Sequence, residues 1–195
     1  MSVRIDHVIY GTADLDAAAT RLRAQLGLLA VNGGRHDGLG TRNRIVPLGD
    51  GSYLELLAIA DPGEAKRSAL GAALQCAIAR GEGLLGWAVA VDDLQPVIER
   101  LGTATTHVGR QGMTARLTGL AEFLAEPCLP FFIERDTAQA APRAVNTTGI
   151  CWIEVAGDAR RLRHWLGGIE LPVRVVEGEP AVRAVGVGGR ELRTQ

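Results

Sequence analysis

The sequence predicts an α+β fold: two βαβββ modules forming a cupped mixed sheet, followed by a partial third βαββ unit. Three observations predict it. A strand-then-helix signature occurs twice with the same grammar. Each copy is followed by three further strand-like runs, and a shorter echo comes after a polar, proline-containing stretch.

The elements follow in chain order. In IDHVIYGTADLDAAATRLRAQLG, residues 4–11 read as a strand, and Leu15, Ala18, Leu22 and Leu26 have the spacing of one helix face over residues 14–26. Thr12 or Asp14 can cap the free amides at the helix start, and Gly27 suits the left-handed turn at its end. Strand-like runs at 28–33, 41–48 and 53–59 complete the first module. EAKRSALGAALQCAIARG then carries Leu70, Ala73, Leu74, Ala77 and Ile78 at helical spacing, as a connecting helix would.

LGWAVAVDDLQPVIERLG repeats the signature, with a strand at 85–91, an Asp92-Asp93 cap, a helix carrying Leu94, Val97, Ile98 and Leu101, and then Gly102. Setting Asp14-Leu15 on Asp93-Leu94 superimposes the copies, and runs at 105–110, 113–120 and 129–135 complete the second. Beyond DTAQAAPRAVNTT, GICWIEVAGDARRLRHWLGG reads as strand and helix, and LPVRVVEGEPAVRAVGV as two strands around a Gly-Glu-Pro turn. Trp152 falls where Trp87 falls when Gly167 is set on Gly102. The expected division is 1–62 and 84–136 for the modules, 63–83 for the connecting helix, and 137–195 for a linker and the third unit.

A strand followed by one helix covers one sheet face and leaves the other free, so two such units gain by closing their free faces into a common cup. A ligand would lie there. Alternation along the second module's first strand puts Gly86, Ala88 and Ala90 on one side and Leu85, Trp87, Val89 and Val91 on the other. The large set suits packing under a helix and the small set a roomy cup wall.

Composition narrows the function. With 195 residues, 47% hydrophobic and 22% charged, the chain can bury a core. A net charge of −1 with scattered arginines argues against nucleic acid. No apolar run reaches the roughly 20 residues of a membrane span, and MSVRIDHVIY lacks the pattern of a secretory leader, so no membrane partner and a cytoplasmic location are expected. Cys76, Cys128 and Cys151 are odd in number and without a C-x-x-C pair, which favours buried thiols over disulfides or a zinc ribbon. Lys66 is the one lysine and lies in a polar stretch, which argues against Schiff-base chemistry.

The opening DHVIYGTADLDAA, the block GTRNRIVPLGDGSYLELLAI and the strand PFFIERD resemble the glyoxalase-like subgroup of the vicinal oxygen chelate superfamily, which groups glyoxalase, bleomycin-resistance and dioxygenase folds. The resemblance implies paired βαβββ modules and, in many members, a divalent metal held by the first and fourth strand of each module. Carried onto this chain, those positions are His7, Glu55 and Glu134, with Gly86 at the fourth, where glycine has no side chain to offer. One imidazole and two carboxylates suit Zn, Ni, Mn, Fe or Mg, and a metal-free cup is the alternative. An extradiol-type dioxygenase ordinarily needs two histidines on iron, and only His7 stands at a ligand position.

Each residue also has a plainer reading. His7 can be a hydrogen-bonded structural residue of its strand. Glu55 and Glu134 lie among apolar neighbours and must face a metal, a base, a ligand or solvent, and for Glu134 the adjacent Arg135 and Asp136 also fit a solvated strand end. GGRHDGLGTRNRIV offers His36, Thr41, Asn43 and Arg44 to a substrate as a loop over the cup, or is a hairpin whose glycines serve the turn. His107 and His164 read as surface or packing residues.

Two functions compete. The first is a metal-assisted lyase, isomerase or epimerase acting on a small oxygenated molecule, with Glu55 or Glu134 moving a proton. The second is a non-catalytic protein that sequesters a drug or metabolite. The resemblance also implies a homodimer, unless the third unit covers an edge instead.

Overall fold

Residues 3–110, 113–135 and 148–194 are described by the computed structural model, and the expected linker at 137–147 lies outside them. The first strand, β1 (Val3–Gly11), runs into α1 (Leu15–Leu26), whose start is capped by the Asp14 carboxylate accepting the amides of Asp16 and Ala17 at 2.8 and 3.1 Å. Gly27 ends α1 at φ 70°, a left-handed turn that glycine adopts without strain. β2 (Val31–His36), β3 (Thr41–Pro47) and β4 (Tyr53–Ile59) finish the first module. β2 lies three residues later than the sequence suggests, so the polar segment ahead of β3 is a hairpin rather than a free loop.

Between the modules come a short α2 (Pro62–Ala65) and then α3 (Ala69–Arg80). They are separate helices because Ser68 turns away from the helix and caps the Gly71 amide at 3.0 Å. The second module is β5 (Gly83–Val91), α4 (Gln95–Leu101), β6 (Thr105–Arg110), β7 (Met113–Thr118), α5 (Leu120–Ala125) and β8 (Phe131–Arg135). α5 is an addition to the predicted grammar: the strand expected to reach residue 120 stops at Thr118, and the chain turns through Gly119 into a helix that buries Phe123.

The eight strands form one curled sheet in the order β2-β3-β4-β1-β5-β8-β7-β6. β1 and β5 pair antiparallel at its centre, each flanked by the parallel fourth strand of its module, and the two edge strands β2 and β6 approach each other. The modules therefore face one hollow. Outside it, Val8, Leu54, Trp87, Val89 and Phe132 pack beneath α1 and α4 as one core. Inside it, Ile9, Leu57, Ala88, Leu117, Phe131 and Ile133 join Leu74 of α3 and Phe123 of α5. The helix expected merely to connect the modules is thus part of the cup wall.

The third unit, β9 (Ile150–Ala156), α6 (Ala159–Leu166), β10 (Val173–Val176), β11 (Ala181–Val187) and β12 (Arg190–Arg193), has one strand more than the sequence suggests and a different wiring. Its order is β10-β9-β11-β12, with β10 parallel and directly beside β9, whereas in the first module the parallel neighbour of β1 is its fourth strand. β11 lies against β5 and β12 against α1, so this second sheet covers the outer face of the first. The Trp165 indole donates to the Pro130 carbonyl at 2.7 Å and that of Trp87 to Cys128 at 3.0 Å. Trp152 is no counterpart of Trp87 in packing: it is half-buried under the Arg174 guanidinium, 4.4 Å from the ring centre, while Trp87 is fully buried. Among the described residues no helix is long and apolar enough to cross a membrane.

Candidate functional site

The site begins with an irregularity in β1. The ladder pairs Ile5 with Val89 and His7 with Ala88, which leaves Asp6 as the extra residue of a β-bulge. The bulge turns an aspartate with no solvent exposure into the protein, where its carboxylate accepts His7 Nδ1 at 2.7 Å and Arg135 Nη2 at 2.6 Å. Burial alone would push its pKa up, but the hydrogen bonds and charges of His7 and Arg135 outweigh it and hold the carboxyl well below the usual range. Asp6 is therefore an anion. It fixes the hydrogen on His7 Nδ1 and leaves Nε2 turned inward.

Arg135 reaches this anion from the end of β8 and also donates to the Tyr53 hydroxyl at 2.7 Å. Burial, and next the charge of Asp6, raise the Tyr53 pKa well above its ordinary value, so the phenol stays neutral. His7 is sandwiched by aromatic rings: Tyr53 stacks on it at 4.6 Å and 14°, and Phe131 meets it edge-on at 5.5 Å. One ion pair from the second module thus locks the imidazole of the first.

Glu55 stands opposite. Its Oε2 lies 3.6 Å from His7 Nε2 and its Oε1 lies 3.6 Å from His36 Nε2, and Asn43 donates its amide to Oε1. Asn43 is itself aimed, because its Oδ1 accepts the Gly34 amide at 2.8 Å. A side chain at Gly33 would place its Cβ 1.9 Å from that oxygen, so the hairpin needs glycine for this approach. His36 Nδ1 lies 2.9 Å from the Thr41 hydroxyl. His7, His36, Asn43 and Glu55 line one side of a cavity of about 160 Å³, and Val108, Ala115, Leu117, Phe131 and Ile133 line the other.

Strand register shows how the two sides correspond. The alignment that sets Asp14 on Asp93 sets Asp6 on Leu85, His7 on Gly86 and Ile9 on Ala88. Leu85 is also a bulge residue, since the ladder steps from Ile9–Gly86 to Tyr10–Leu84. Ile9 pairs with Glu55 and Ala88 with Phe131, so Phe131 occupies the second module's place of Glu55. Following the ladders outward, Asn43 corresponds to Leu117, Thr41 to Ala115 and His36 to Val108. Each of these six polar positions of the first module is apolar or glycine in the second.

This settles where the sequence-derived candidates lie. His7 and Glu55 meet in the cup, with His36 and Asn43 beside them and Thr41 behind His36. Glu134 is on the other face: strand alternation sends Phe131, Ile133 and Arg135 inward and Phe132 and Glu134 outward. There Glu134 accepts the Leu94 amide at 2.8 Å and pairs with Arg116 at 3.2 Å. Arg44 also points outward, to Asp16 of α1, and does not line the cavity. Leu85 faces inward, against the simple alternation, because of its bulge. His107 and His164 are exposed. Sequence reasoning missed Asp6, Tyr53, Phe123 and Arg135. An aspartate inside the apolar run RIDHVIY was the available signal, since a buried carboxylate demands a cation.

The residues present do not fit the four-position metal chelate that the fold implies. Two of the four positions are Gly86 and Phe131, and the Asn43 amide occupies an oxygen of Glu55. Among the described residues no cluster of three or more His, Cys, Asp or Glu could hold a metal ion.

The glyoxalase-like domain family matches residues 5–169 of this sequence. The chain belongs to that family. A crystal structure of a hypothetical protein from Staphylococcus aureus superposes with a TM-score of 0.73 at 16% identity, over 96% of this glyoxalase-like chain and 91% of the other. A methylmalonyl-CoA epimerase in complex with methylmalonyl-CoA and NH4+ superposes at 0.55, with 24% identity over 73% of this chain and all 100% of its own. A Streptomyces coelicolor methylmalonyl-CoA epimerase bound to 2-nitronate-propionyl-CoA gives 0.53, with 21% identity over 72% of this chain and 98% of that one. At these identities the likeness is one of fold. No curated protein matches the sequence. The near-complete match to the staphylococcal protein means that the third unit is a feature of that fold too.

Proposed function

We propose that this glyoxalase-like protein binds a small oxygenated organic molecule in the cup and moves a proton on it. The carrying observation is the buried line Asp6–His7–Glu55, in which an anion orients an imidazole whose other nitrogen faces a second carboxylate at the cavity wall. Asn43 and His36 hold the polar end of the ligand, and the apolar wall of the second module packs its hydrocarbon part. Glu55 takes a proton from a carbon next to a carbonyl, and His7 holds or returns one, which is the elementary step of an isomerase, epimerase or lyase. No step is routed through a metal, because the chelate positions are not provided.

The second reading, binding without turnover, is favoured by the mostly apolar lining of the second half, where among the described residues no His, Asp or Glu faces the cavity. One experiment separates them. Metal-stripped protein is screened by thermal shift against small hydroxy- and oxo-compounds, and hits are incubated in heavy water. Hits that lose most of their shift in Glu55→Gln and exchange a carbon-bound hydrogen support proton transfer. Hits without exchange support sequestration, and a panel in which wild type and Glu55→Gln respond alike overturns the site.

One chain supplies both halves of the cup, so a homodimer is not needed to complete it. Exposed free thiols at Cys76 and Cys151 fit a reducing compartment such as the cytoplasm.

A further inference from the structure

The cup has a second chamber. A cavity of about 220 Å³ lies between α3, α5, the start of β5 and the turn at Pro180. Ile9, Leu57, Leu70 and Phe123 line both cavities, so these four side chains form the partition between the two spaces. Apart from Arg80, which is exposed, every residue lining the second chamber is apolar. The bulged Leu85 forms part of its wall, and α3 turns Ala73 and Ala77 toward it, one helical turn apart. Small residues there leave room that larger ones would fill.

A space of this size with apolar walls offers water no set of hydrogen-bond partners, so it favours a hydrocarbon occupant. We infer that the chamber takes the aliphatic tail of the ligand whose oxygenated head lies at His7, Asn43 and Glu55. This rests on the head site of the proposed function and adds the class of molecule: an aliphatic chain that carries its oxygens at one end. Arg80 marks the side on which the tail's far end meets solvent.

The test uses the full chain and vicinal diols from butanediol to decanediol, titrated by NMR shift perturbation. Affinity is expected to rise by up to about fourfold per added methylene once the chain passes Phe123. Ala77→Phe fills the chamber and is expected to abolish that gain while leaving butanediol binding unchanged. Ala73→Leu, a milder filling on the same helix, reduces the gain and guards against a folding defect in the first variant. Decanediol binding no tighter than butanediol, or a gain that persists in both variants, overturns this inference alone. Failure of both diols to bind overturns the head site together with it.

Discussion

The two modules share a backbone plan and differ in nearly every side chain that faces the cup. Asp6, His7, His36, Asn43 and Glu55 of the first correspond to Leu85, Gly86, Val108, Leu117 and Phe131 of the second. Even the bulges correspond: one turns a carboxylate under an imidazole, the other turns a leucine into an apolar chamber. The lesson is that repetition conserves strand geometry, which backbone hydrogen bonds dictate, while each half of the hollow is free to specialise. Here one half is polar and the other mostly apolar, with Arg135 crossing between them to lock Asp6.

The largest effect should come from the lock. Asp6→Asn leaves the Arg135 guanidinium without its anion in a mostly buried setting, and urea unfolding should show a loss of about 3–5 kcal/mol. Because the folded-state pKa of Asp6 is depressed, its contribution is present above about pH 4 and fades as pH falls through the folded value. The variant should therefore lose part of the wild-type acid slope. An unchanged slope would mean that the ion pair does not hold the site.

Next comes the opposite half. A Cβ on Gly86 would lie 1.9 Å from Phe123 Cε2, so Gly86→Ala should cost about 1–3 kcal/mol through overpacking. Gly86→His, the substitution that would restore the absent chelate position, meets the same ring. If that variant unfolded at the wild-type urea midpoint and took up a metal, the division between polar and apolar halves would be shallower than drawn.

Two smaller changes sharpen the boundary of the cup. Glu134→Gln weakens the hold on the Leu94 amide and on Arg116, for about 1 kcal/mol of stability, and should leave every ligand-induced thermal shift intact. Arg44→Ala removes a surface pair with Asp16, worth at most about 0.5 kcal/mol, again with unchanged ligand response. A ligand shift lost in either variant would put that side chain inside the hollow.

Much of the fold was legible because periodicity, caps and turns are local. Asp14, Gly27, Gly102 and the alternating strands announce two copies of one unit, and His7 and Glu55 could be placed by the family pattern. Glu134 shows where this stops: choosing a residue on a module's fourth strand without its register leaves the facing side open, and a shift of one residue reverses it. α5 was equally hidden, since LAEFLA is too short for a periodic signal to separate it from a strand end.

The sequence by itself determined the duplicated βαβββ plan, the ends of its longer helices and the presence of a histidine and a glutamate within strand-forming runs. Tertiary structure alone decided which side chains share the hollow, because bulges at Asp6 and Leu85 break the simple alternation from which facing is read. It also decided the site's electrostatics, since an arginine 129 positions along the chain from Asp6 holds it charged. Distant pairings of that kind are set by how sheets register and curl, and no local pattern of residues encodes them.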